Sequence, residues 1–160
     1  MNQWFLCTVK YTKQLENGTF KRVSEKYLLA AMSFTDAESR IYEELGTIIR
    51  GEFIVQAIAR EEYHDIFNYE DADVWYKSKI SFEGTDDSGG KTKKTCQTFL
   101  VNANSVKEAT ERVQENLSTM MVDIEVTGTV KSPIVDIFPF VENLDKEISR
   151  VPLTEVASED

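Results

Sequence analysis

The sequence predicts an α+β protein: two tandem β-β-α-β pseudo-repeats that share a mostly antiparallel sheet, with two helices packed on it. Three observations predict it. A strand-like run led by tryptophan occurs twice, starting about 71 residues apart. The same helix start follows each run at a matching distance, and the apolar residues after the two starts recur in the same steps.

The first strand of each copy alternates with a period of two, the mark of a half-buried strand. Phe5, Cys7, Val9 and Tyr11 share one face, answered by Tyr76, Ser78, Ile80 and Phe82 in the second copy. Trp4, Leu6, Thr8 and Lys10 share the other, answered by Trp75, Lys77, Lys79 and Ser81. Asn17-Gly18 is a hairpin signal because both residues tolerate positive φ, and the looser Gly84–Gly90 stretch takes that place in the second copy. The return strands carry Lys21-Arg22 and Lys93-Lys94, then end in Tyr27-Leu28-Leu29 and Phe99-Leu100-Val101.

Each helix opens on Ser-x-x-acid, with Ser33 and Asp36 in one copy and Ser105 and Glu108 in the other. In this capping box the serine oxygen accepts an N3 amide and the acid reaches back to the cap. Phe34, Ala37, Ile41, Leu45 and Ile48 form one apolar stripe, and Val106, Ala109, Val113, Leu117 and Met120 the other. Arg40 and Arg112 occupy the same slot. Third strands follow near Phe53–Ile58 and Ile124–Val130, and each copy closes on Asp-Ile-Phe, at Asp65–Phe67 and Asp136–Phe138. The repeats therefore run over residues 1–70 and 71–140. Each is too small to be comfortable alone, so one compact domain is expected. Residues 141–160 read as an acidic, polar, partly disordered tail.

Composition bounds the function. An apolar fraction of 41% suits a folded chain, and no apolar run approaches a membrane span. Met1-Asn2-Gln3-Trp4 lacks a basic region followed by an apolar core, so no secretory signal is expected, and the expected compartment is the cytoplasm of a bacterial host. Cys7 and Cys96 read as reduced, partly buried thiols. The net charge of −10 opposes strong nonspecific nucleic-acid binding but leaves room for a local basic face.

The chain resembles a family of short proteins from Bacteroidetes and their phages, known as domain of unknown function 4494. Trp4-Phe5-x-Cys7, Tyr27-Leu28, Ser33–Glu38, Gly51-Glu52-Phe53, Trp75-Tyr76-Lys77 and Asp136-Ile137-Phe138-Pro139 carry the resemblance, which spans most of residues 1–140. It implies a phage or mobile-element setting and supplies no activity.

Enzymatic signatures are largely missing. No phosphate-cradling loop, His-x-x-x-His or Cys-x-x-Cys occurs, so neither catalytic residues nor a metal or other cofactor are expected. His64 has Val135 as its counterpart, which marks a structural position, and Glu43-Glu44, Glu61-Glu62 and Asp86-Asp87 read as solvated surface. An enzyme or small-ligand site would need a cleft holding Arg40 or Arg112 with carboxylate neighbours. The feature with physical content is the outer strand face, with Trp4, Lys10, Trp75, Lys77 and Lys79 joined by Lys21, Arg22, Lys93 and Lys94. Aromatics and cations on a sheet suit single-stranded nucleic acid. Alternatively Trp4 and Trp75 cover a second core layer or the interface between the copies, since tryptophan is more often buried than displayed. The function expected is that of a non-enzymatic accessory protein that binds single-stranded nucleic acid. The alternative is a protein–protein interaction module, an adaptor or inhibitor of a host factor, for which exposed sheet edges would serve.

Overall fold

The computed structural model describes residues 3–85, 92–120 and 122–140, the side chains at 84, 85, 92 and 93 excepted. The expected tail at 141–160, most of the Gly84–Gly90 turn and the Lys93 side chain lie outside the described residues. The chain is α+β, with two helices and two four-stranded, mostly antiparallel sheets. In order the elements are β1 (Gln3–Gln14), β2 (Phe20–Ala31), α1 (Phe34–Gly46), β3 (Phe53–Glu61), β4 (Asp65–Phe67), β5 (Val74–Thr85), β6 (Thr92–Ala103), α2 (Val106–Asn116), β7 (Ile124–Lys131) and β8 (Ile134–Phe138). Two compact units result, one of residues Met1–Glu61 with the chain from Asp136 onward, the other of Glu62–Val135.

One expectation needs correcting. The strands do not share a single sheet but divide between one of order β3-β1-β2-β8 and one of order β4-β6-β5-β7. The closing strands have also changed places, for β4 pairs parallel with β6 through Asp65↔Phe99, Ile66↔Leu100 and Phe67↔Val101, and β8 lies beside β2. Chain length explains the first exchange. From β3 the free edge of β2 lies three strand spacings away, about 14 Å. Four extended Cα steps of about 3.5 Å would only just span that distance if they ran flat, without climbing over a sheet face. The short link Glu62–His64 cannot make that crossing.

Within each unit the expected faces hold. Phe5, Cys7, Val9, Tyr27 and Leu29 pack under Ala37, Ile41 and Leu45 of α1. Tyr76, Ile80, Phe99 and Val101 pack under Ala109, Val113 and Leu117 of α2. The ends of the predicted stripes do not hold: Phe34, Ile48, Val106 and Met120 are exposed. Helix α1 stops at Gly46, so its period no longer governs Ile48, and Ile49 turns inward instead with its N–H on Leu45 O. Both caps form, Ser33 accepting from Asp36 N and Ser105 from Glu108 N at 3.1 Å. Each acid reaches one residue beyond the cap, to the N–H of Met32 or Asn104. A β-bulge interrupts both third strands, between the partners of Thr8 and Val9 and between those of Lys79 and Ile80.

Candidate nucleic-acid interface

Strand β1 pairs with β2 along its whole length, but with β3 only from Trp4 to Tyr11. Beyond Tyr11 the hairpin continues as a two-stranded ribbon, and every residue from Thr12 to Arg22 is exposed. The turn is tight: Gly18 N donates to Leu15 O at 2.9 Å and Leu15 N to Thr19 O at 2.7 Å. Asn17 Oδ1 accepts from Thr19 N at 3.1 Å. Of the two turn residues Asn17 and Gly18, only Gly18 takes positive φ, at 85°, so glycine is required there while Asn17 contributes through its side chain.

Register decides which cations meet. Lys10 opposes Ser24, Thr12 opposes Arg22 and Thr8 opposes Lys26, which puts Lys10, Arg22 and Lys26 on the Trp4 face. Lys26 Nζ donates to Thr8 Oγ1 at 3.0 Å. On the other face Lys13 lies directly opposite Lys21. Like charges directly opposed across a strand pair are destabilising. Phe20, opposite Gln14, is 70% exposed. Between Lys10 and Lys26 the ribbon carries five cations against Glu16 and Glu25. Glu25 is occupied, since its Oε1 accepts from Tyr11 OH at 2.5 Å and Tyr27 OH at 3.0 Å.

Burial and the Glu25 carboxylate push the Tyr11 hydroxyl up to about 12 from an ordinary 10.0, and raise Tyr27 for the same reasons. A raised folded value means a contribution fully present below pH 10.0 and lost as pH rises through the folded value. In a spectroscopic titration, Tyr11 and Tyr27 should therefore ionise late, together with loss of far-UV circular dichroism. Ionisation of these two near the ordinary tyrosine value would contradict the Tyr11–Glu25–Tyr27 arrangement.

The residues singled out from the sequence fall in two groups. Trp4, Lys10, Lys21 and Arg22 belong to the first unit. Trp4 is half-buried and Lys10 partly so, while Lys21 and Arg22 are exposed on opposite faces. Trp75, Lys77, Lys79, Lys93 and Lys94 belong to the second unit. Trp75 is 6% exposed and offers no stacking surface. Lys77 is half-buried with Nζ 5.6 Å from the centre of the Tyr63 ring. Lys79 is exposed opposite Thr98 and Gly128, and Lys94 is exposed opposite Glu83. The burial of Trp75 had a signal in the sequence: Tyr27-Leu28-Leu29 and Phe99-Leu100-Val101 are unbroken apolar runs, and such runs mark strands covered on both faces. Leu28 and Leu100 are fully buried. Lys13, Phe20 and Lys26 were missed; only their strand register groups them with Lys21 and Arg22.

The two arginines hold backbone. Arg112 donates to Asn102 O at 2.9 Å, to both Asp71 oxygens at 2.9 and 2.7 Å, and lies 4.2 Å from the centre of the Tyr69 ring. Arg40 donates to Ala30 O and to Pro139 O and covers the Phe140 ring. Each thus clasps, within its own unit, the chain that leaves the closing strand. His64 sets its ring edge-on to Phe99 at 5.2 Å. Burial raises the Cys7 thiol to about 11, which keeps it protonated and unreactive at neutral pH. Among the described residues no helix is long and apolar enough to cross a membrane.

A family model described as "Domain of unknown function (DUF4494)" matches residues 3–140. No curated protein and no solved structure matches the chain.

Proposed function

We propose, on the premise that the chain belongs to the DUF4494 family, that it is a non-enzymatic binding protein whose β1–β2 ribbon takes single-stranded nucleic acid. One observation carries the reading: Lys13 and Lys21 face each other on an exposed ribbon, with Arg22 on its opposite face, in a chain of net charge −10. The pair costs stability with no packing to offset it, and local rules broken at that kind of cost mark functional sites. A phosphate backbone would neutralise the pair, and a strand passing around the edge of the ribbon would meet Arg22 and the Phe20 ring on the opposite face, where the ring can take a base. The tryptophans of the original expectation are replaced here by Phe20. The resemblance noted above adds the phage or mobile-element setting and a bacterial cytoplasm.

The reading links stability and binding in opposite directions. Lys13→Thr should stabilise the fold by about 0.2–1 kcal/mol in urea unfolding and weaken binding of a labelled oligothymidylate. Phe20→Ala should leave stability within about 0.5 kcal/mol and cost about 1–3 kcal/mol of binding if one base stacks on the ring. Unchanged affinity in both variants, or equal preference for a blunt duplex, counts against the proposal.

A further inference from the structure

The Trp4 face of the first unit repeats one arrangement three times. Arg22 stands opposite Thr12, Lys10 opposite Ser24, and Lys26 opposite Thr8, so three successive cross-strand rungs each pair one cation with one hydroxyl. The cation changes strand from rung to rung, from β2 to β1 and back to β2. Successive rungs on one face lie two residues apart, about 6.8 Å at the rise of an antiparallel strand. Beyond Arg22 the next rung holds Phe20, and beyond Lys26 the next is Leu6 with the fully buried Leu28. The row therefore has a definite length, with an exposed ring at one end and apolar residues at the other.

Cations on an exposed strand pair are ordinarily stabilised by acids across the ladder. None of these three rungs has one, although the chain carries 28 acidic residues against 18 basic ones. Among the described residues Lys10, Arg22 and Lys26 form no ion pair. Glu25 stands on the other face, where it accepts from Tyr11 and Tyr27. Lys26 Nζ donates to Thr8 Oγ1 at 3.0 Å, which leaves the hydroxyl hydrogen able to donate outward. The second unit keeps a single such rung, Lys79 opposite Thr98; its next two rungs are Ser81 with Cys96 and Glu83 with Lys94, a cation matched by an acid. Duplication alone does not account for the row.

We infer that this face seats three consecutive phosphates of the single-stranded nucleic acid, one on each rung, with the polynucleotide running along the ribbon from Phe20 towards Lys26. The inference rests on the function proposed above and gives that site its face, direction and length. A phosphodiester carries one negative charge and oxygens that accept hydrogen bonds, so a cation beside a hydroxyl matches it. Phosphates of a stretched single strand recur at about the rung spacing. Those of a duplex advance only about 3.4 Å along its axis and curve away from a short straight row.

The test uses Lys10→Thr, Lys26→Thr and Ser24→Ala in the full chain, none of which touches Lys13, Phe20, Lys21 or Arg22. Anisotropy of a labelled oligothymidylate would be followed over a salt series, with the urea midpoint confirming that each variant is folded. Each lysine variant should bind more weakly, with a log–log salt slope shallower by about 0.7. Ser24→Ala, exposed and uncharged, should bind about threefold to tenfold more weakly with the slope unchanged. If Lys21→Thr/Arg22→Thr weakens binding while these three variants bind as the wild type does, the inference falls and the proposed function stands. If the wild type does not bind the oligothymidylate, both fall.

Discussion

Phe99→Ala is expected to destabilise the second unit by about 3–5 kcal/mol. The side chain is 1% exposed at the centre of the core under α2. Its ring stacks on Phe67 at 5.6 Å with an interplanar angle of 11°, and His64 meets it edge-on. Phe67 belongs to β4, the strand that reaches β6 through only three paired residues. Truncation therefore removes the apolar burial, leaves a cavity, and takes away an aromatic pair worth about 0.5–1.5 kcal/mol beyond its area. The β4 amides should lose protection from hydrogen exchange before those of β5 do, since β4 then retains little besides its ladder. A shift in urea midpoint equivalent to less than about 1 kcal/mol would mean that Phe99 does not anchor β4.

Arg112→Ala should cost about 1–3 kcal/mol. The guanidinium is 12% exposed and holds the Asn102 carbonyl, Asp71, and Glu108 at 3.0 Å. Asn102 is itself 2% exposed and fixes the same loop, donating from Nδ2 to Asn68 Oδ1, Tyr69 O and Ala72 O. Removing the arginine leaves a carbonyl unmatched and frees the loop that carries the chain from β4 to β5. Arg112→Lys should recover only part of the loss, because an ammonium cannot reproduce the fork on Asp71. Hydrogen bonding from Arg112 holds the Asp71 carboxyl below the usual carboxylate range. A depressed folded value gives stability that is present above the unfolded value and lost as pH falls through the folded one. The wild type should thus lose this contribution only in acid, and in Arg112→Ala the Asp71 carboxyl should titrate at its ordinary value. Equal stability of wild type and Arg112→Ala at neutral pH would show the clasp to be incidental.

Much of the fold was legible because its signals are local. Period-two alternation placed Phe5, Cys7 and Val9 inward, and the Ser33 and Ser105 caps fixed both helix starts. The partition into two sheets was not legible, because strand pairing is a non-local choice. Asp65–Phe67 and Asp136–Phe138 read alike as sequence, and only the length of Glu62–His64 bears on which edge β4 can reach. The candidate site was half legible. Lys21 and Arg22 stand out as a basic pair, yet adjacent strand residues point to opposite faces, so a pair in sequence is not a pair in space. The Lys13–Lys21 opposition follows from the length of the Leu15–Thr19 turn, which sets the register. For Trp75 the alternating run left display and burial both open, and what pointed to burial was the covered face of β6 at Leu100.

The central claim, that the ribbon neutralises phosphates, is tested most directly by the salt dependence of binding. Fluorescence anisotropy of a labelled single-stranded oligonucleotide would be followed over a salt series for the wild type and for a Lys21→Thr/Arg22→Thr variant. Log affinity of the wild type should fall linearly with log salt, by roughly 0.7 for each phosphate contacted. The variant should bind more weakly with a slope shallower by one to two such contacts. A wild-type affinity indifferent to salt, or a variant with the wild-type slope, would contradict the account.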